Sequence, residues 1–190
     1  MNNRTRALTK WVGVAALAFA TLTMGAANGV AASRAVAPQT DAKYEAWLNK
    51  KVRHELLILP WYGVFDNLEY SINGNVVTLS GQVVFPLTRQ DAVGSVKNIE
   101  GVSKVVDNIT PLPPSPFDNQ TRRAEYRAIF SEPSLSKYSM GVNPAIHIIV
   151  DNGHVTLVGY VDSRTDVQLA TMRANSVPGV FSVTNDLQVG

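Results

Sequence analysis

Apolar and polar positions alternate strictly along two stretches of the chain. The first runs Leu68/Tyr70/Ile72 and resumes as Val77/Leu79/Gly81/Val83; the second runs Ile146/Ile148/Val150 and resumes as Val155/Leu157/Gly159/Val161. A period of two marks a strand with one face on a core, so each stretch predicts a pair of strands. Gly74-Asn75 and Asn152-Gly153 separate the members of each pair, and these residues accept the positive φ of tight hairpin turns. Turns centred there set Ile72 opposite Val77 and Val150 opposite Val155, which keeps the apolar residues of both strands on one face.

Downstream the period lengthens to between three and four, in Ala92/Val96/Ile99 and in Val167/Ala170/Ala174/Val177. Each predicts an amphipathic helix. Thr88…Asp91 and Ser163…Asp166 have capping-box spacing, with Asp replacing Glu or Gln. Gly101 and Gly179 stand where a helix ends in a left-handed residue, and a last strand follows at Val105/Ile109 or Val183/Leu187/Val189. Upstream of the first hairpin, Tyr44, Leu48, Val52, Leu56 and Leu59 form the stripe of another helix. A shorter one is predicted around Tyr126, Ile129 and Phe130, capped by Asp118 or Asn119.

The two stretches are copies of each other. A shift of 78 residues lays Leu68–Pro111 on Ile146–Val189 without a gap, and both run twenty residues from Gly81 or Gly159 to the pairs Gly101-Val102 and Gly179-Val180. The predicted architecture is α+β: two tandem α-β-β-α-β domains, each a three-stranded sheet packed with two helices, following a signal peptide. Boundaries fall at 1–32 for the signal peptide, 41–112 for the first domain, 113–117 for a Pro-rich linker and 118–190 for the second domain. Gly74, Gly81, Gly101, Gly153, Gly159 and Gly179 are read as structural, serving turns, close packing and helix ends.

The signal peptide rests on Arg4, Arg6 and Lys10 ahead of an apolar run from Trp11 to Met24, with cleavage expected after Ala32 in Val30-Ala31-Ala32 and with Ala27 and Ala37 as weaker alternatives. That run is shorter than the roughly 20 residues a spanning helix needs. Cleavage changes the charge: of 17 basic and 15 acidic residues, three basic ones lie in the signal, leaving a net charge near −1. Such a chain has no electrostatic footprint for nucleic acid. With no cysteine, thiolate nucleophiles, disulfides and iron–sulfur ligation are excluded.

The segments Asn73-Gly74-Asn75-Val76-Val77-Thr78-Leu79-Ser80-Gly81-Gln82-Val83 and Asn152-Gly153-His154-Val155-Thr156-Leu157-Val158-Gly159-Tyr160-Val161, each followed by a helix and Gly-Val, resemble the BON domain, named for bacterial osmotic-stress and nodulation proteins. The resemblance implies an osmotically inducible periplasmic protein, no catalysis, and attachment to phospholipid membranes. The chain departs from plain members in an aromatic loop, Pro60-Trp61-Tyr62-Gly63-Val64-Phe65, and in an extended loop from Ser131 to Pro144.

The residues themselves offer no catalytic constellation: there is no G-x-S-x-G elbow, no paired carboxylates, and no glycine cluster at a helix start. Three histidines lack metal-ligand spacing and are read as surface residues, so no metal and no cofactor is expected. Candidate lipid-binding residues are Lys50, Lys51, Arg53, Arg122, Arg123 and Arg127 on the leading helices, with Trp61 and Tyr62 in the aromatic loop. The competing reading gives the basic residues a solvated helix face and the aromatics the end of a small core. On the face opposite the core, Ser71, Ser80 and Gln82 become Ile149, Val158 and Tyr160 in the second copy, which predicts a contact surface for the first copy, another subunit or an envelope protein. The expected partners are therefore a membrane phospholipid surface or an envelope protein, with self-association possible and no nucleic acid.

Overall fold

The computed structural model describes residues 39–190 apart from Val142, so the signal peptide expected at 1–32 lies outside the described residues. In order they form α1 (Gln39–Leu57), β1 (Asn67–Asn73), β2 (Val76–Val83), α2 (Pro86–Lys97) and β3 (Lys104–Pro111), then α3 (Pro116–Phe130), β4 (Ile146–Asp151), β5 (His154–Val161), α4 (Arg164–Asn175) and β6 (Ser182–Val189). Two three-stranded sheets result, β1-β2-β3 and β4-β5-β6, each with an antiparallel hairpin and a parallel third strand. The helix between hairpin and third strand is the crossover that a parallel pairing requires.

Both hairpins have the register set by their alternation: Ile72 faces Val77 and Val150 faces Val155. The turns differ in backbone. Asn152 and Gly153 both take positive φ, 51° and 77°, whereas in the first turn only Gly74 does, at 57°. Gly81 and Gly159 have a steric reason as well, since a Cβ would meet the Asn67 carbonyl oxygen at 2.1 Å or that of Ala145 at 2.0 Å.

The first core joins Leu48, Val52 and Leu56 of α1 to Val77, Leu79 and Val83 of β2 and to Ala92 and Val96 of α2. The second joins Ile129 to Ile148, Val150, Leu157, Ala170 and Ala174. Three local expectations are corrected. Ser163 caps α4 by accepting the Asp166 amide, but Thr88 caps nothing: α2 starts at Pro86, because proline fits the first helical position, and Thr88 is buried inside the helix. The cap of α3 is Ser115 rather than Asp118 or Asn119, with Pro116 following it. Part of the Ser131–Pro144 loop belongs to the core, since Leu135 and Tyr138 are buried and the Tyr138 hydroxyl donates to Asp166.

Asp118 has a different task from capping. It is fully buried in the first turn of α3, and its two carboxylate oxygens accept the amides of Asn152 and Gly153 at 3.0 and 2.9 Å. One side chain thereby ties the leading helix of the second copy to the tip of its hairpin.

Candidate functional site

The aromatic loop between α1 and β1 serves two purposes. Tyr62 lies flat against His147 of β4, ring centroids 5.5 Å apart, while the Gly63 carbonyl oxygen sits 3.3 Å from His147 Nδ1. One residue on, the Val64 carbonyl accepts the Ile148 amide at 2.7 Å, and Val64 and Phe65 pack against the second core. Burial pushes the Tyr62 hydroxyl up to about 12 and pushes the His147 imidazole below its ordinary value, favouring the neutral ring. The surface reading of His147 is thus corrected; His54 and His154 are exposed.

Asp66 fixes the loop from inside, accepting the Gly63 and Val84 amides at 2.9 and 2.6 Å. Its neighbour in the loop, Trp61, turns outward and is 54% exposed, its ring edge-on to Phe85 at 6.3 Å. Phe85 and Leu87 are about half exposed, as is Ile58 after α1. Trp61 and Phe85 thus form an exposed apolar pair, the ridge of the first copy, with the exposed Leu87 two residues after Phe85 and the exposed Ile58 three before Trp61 in the chain. Phe85 and Leu87 were missed in the sequence, although Phe85-Pro86-Leu87 at a strand-to-helix junction is the signal that carries them.

Lys50, Lys51 and Arg53 are exposed on α1, Lys51 pairing with Glu55 at 2.9 Å. Arg123 and Arg127 are exposed on α3. Arg122 points inward instead and leaves the candidate set. It is 3% exposed and donates to Asn119 at 2.7 Å and to the Val150 carbonyl at 2.5 Å, in the field of Asp118, Asp66 and Asp151. Tyr62 leaves the set as well, being held in the stack.

On the outer face of the second sheet the three proposed contact residues part company. Ile149 is buried within the chain, Val158 is half-buried, and Tyr160 is exposed. Val158 and Tyr160 line an open groove of about 810 Å³ between the copies, whose other wall is β1 and the last turn of α1.

One buried group went unnoticed in the sequence. Thr121, Glu125 and Ile129 are the buried stripe of α3 at i, i+4 spacing, as Leu48, Val52 and Leu56 are on α1, and neither carboxylate oxygen of Glu125 has a hydrogen-bond partner. Burial alone pushes its carboxyl up to about 8. Among the described residues no group of three or more His, Asp or Glu is placed to hold a metal ion.

The BON domain matches residues 44–112 and again residues 136–190. The chain belongs to the BON-domain family. The first BON match takes in most of α1 and everything to the end of β3, while the second begins at the turn carrying Tyr138 and omits α3. Osmotically-inducible protein Y of Escherichia coli is 34% identical over 115 residues, which take in 60% of this chain and 57% of that protein. The chain therefore spans little more than half the length of that relative. Among solved structures, CdsD, a structural protein of the type III secretion system of Chlamydia trachomatis, covers 76% of this chain and is itself covered over 93%, at 12% identity. The TM-score of that superposition is 0.29.

Proposed function

We propose that this BON-domain chain is an exported, non-enzymatic protein of the bacterial envelope that rests on anionic phospholipid surfaces and supports envelope integrity under osmotic stress. The observation that carries the reading is the exposed Trp61–Phe85 pair, with Leu87 and Ile58 exposed close to it in the chain. Trp suits the membrane interface, and exposed apolar side chains gathered at one end of a small domain mark a contact surface. Lys50 and Arg53 lie on α1, which ends at Leu57 just before Ile58, about 10 and 6 Å from that end along its axis. Anionic head groups attract each such cation by about 1 kcal/mol. Osmotic inducibility and the envelope setting are carried over from the relative's name and the family. No described helix is long and apolar enough to cross a membrane, which agrees with binding at a surface.

The test is sedimentation of residues 33–190, which contain both sheets and both cores entire, with anionic or neutral vesicles at low and high salt. Recovery with anionic vesicles alone, weakened by salt and by Trp61→Ser with Phe85→Ser, supports the reading. Equal recovery from both vesicle types, or none, would refute it.

A further inference from the structure

In a two-residue hairpin the residues flanking the turn hydrogen-bond to each other, so alternate residues before them turn their amides and carbonyls away from the partner strand. On β4, closed by Asp151 and His154, the outward set is Ile146, Ile148 and Val150; on β1, closed by Asn73 and Val76, it is Leu68, Tyr70 and Ile72. The 78-residue repeat makes these sets equivalent.

Their fates differ. The edge of β4 is answered within the chain: the Ile148 amide donates to the Val64 carbonyl, and the Val150 carbonyl accepts from Arg122. On β1, the Leu68 amide faces the Tyr62 hydroxyl. Among the described residues no backbone hydrogen bond reaches the outer edge of Tyr70 or Ile72.

Of the two, Tyr70 borders the groove between the copies, while Ile72 lies beyond its lining toward the turn. Four consecutive residues of β1, Asn67 to Tyr70, form one wall of the groove between the copies, and Val158 and Tyr160 stand across it. A run of consecutive residues means that the groove meets the strand along its edge, since one face would supply every second residue. Glu69 and Asp186 against Arg53 leave the lining with an excess of one negative charge.

We propose that the free edge of β1 takes an extended polypeptide segment as an added strand, lying in the groove against Val158 and Tyr160. The occupant's chemistry follows from that of the wall. Outward amides and carbonyls at Tyr70 and Ile72 match a peptide backbone, the apolar and aromatic side opposite fits alternate apolar side chains, and the acidic excess favours a basic one. The chain supplies its own precedent, because the equivalent edge in the second copy is met by the backbone of Val64.

The experiment pans a phage-displayed heptapeptide library against residues 33–190 and carries the enriched peptides into solution. The expected peptides slow hydrogen exchange at the Tyr70 and Ile72 amides at least tenfold. They lose affinity at least tenfold when N-methylated at alternate positions, and at least fivefold with Tyr160→Glu, an exposed position whose folding is checked by circular dichroism. Trp61→Ser leaves their affinity unchanged, which separates this groove from the membrane ridge. Failure to enrich any peptide, peptides that leave Tyr70 and Ile72 exchange unaltered, or peptides lost with Trp61→Ser but not with Tyr160→Glu would overturn the proposal.

Discussion

Tyr62 and His147 stack across the boundary between the two copies, with ring centroids 5.5 Å apart and planes 28° from parallel. The contact lets two small domains share a packed surface, and both rings are held in their uncharged forms by burial. Removing the Tyr62 ring should cost about 3 kcal/mol, the scale of an aromatic-to-alanine change in a packed site. Urea unfolding of Tyr62→Ala measures it, and a loss below 1 kcal/mol would show that the stack is incidental.

Acid should loosen the same contact. The folded value of His147 lies below its ordinary 6.5, so the stabilisation by its neutral ring is present above pH 6.5 and is lost as pH falls through the lowered folded value. Wild type and His147→Gln, unfolded in urea between pH 8 and pH 5, should differ in slope, with the variant losing less stability toward acid. Parallel curves would contradict this.

Glu125 should act in the opposite direction. Its carboxyl is raised from 4.5 to about 8 in the folded chain, so its contribution is fully present below pH 4.5 and is lost as pH rises through about 8. Glu125→Leu removes a buried, unpartnered acid and should stabilise the protein by about 1–3 kcal/mol at pH 8, with the gain shrinking toward pH 5. Thermal melts across that range check it; a destabilised Glu125→Leu at pH 8 would mean that the carboxylate has a partner in solution.

Asp118→Ala strands two buried amides, those of Asn152 and Gly153. The expected loss is about 2–3 kcal/mol, and Asp118→Asn, which keeps one acceptor oxygen, should cost less. Equilibrium unfolding gives the energies, and faster hydrogen exchange at Asn152 and Gly153 identifies their source.

The elements that the sequence made legible are those with a sustained period. Alternation and turn chemistry set both hairpin registers to the residue, and the 78-residue repeat made one domain a check on the other. Helix starts were less legible: Pro86 and Pro116 each begin a helix, and polar residues inside the first turn, Thr88 and Asp118, imitate caps while doing other work. The orientation of single side chains was least legible, because it depends on contacts far apart in sequence. Arg122 and Arg123 are neighbours in the chain, yet one reaches the Val150 carbonyl and the other meets solvent. Tyr62 and Trp61 divide in the same way, one against His147 and the other against Phe85. Trp61 and Phe85 flank the open end of the first hairpin, where Asn67 pairs with Gln82, and their contact depends on the path of the loop before β1.

Membrane contact through that ridge is tested most directly by the emission of Trp61. Residues 33–190 contain only Trp47 and Trp61, so Trp47→Phe leaves one reporter at the ridge. The predicted result is a blue shift on adding anionic vesicles, quenching by brominated acyl chains, and reversal by high salt. Unchanged Trp61 emission at vesicle concentrations that sediment the protein would contradict the ridge as the membrane-binding surface.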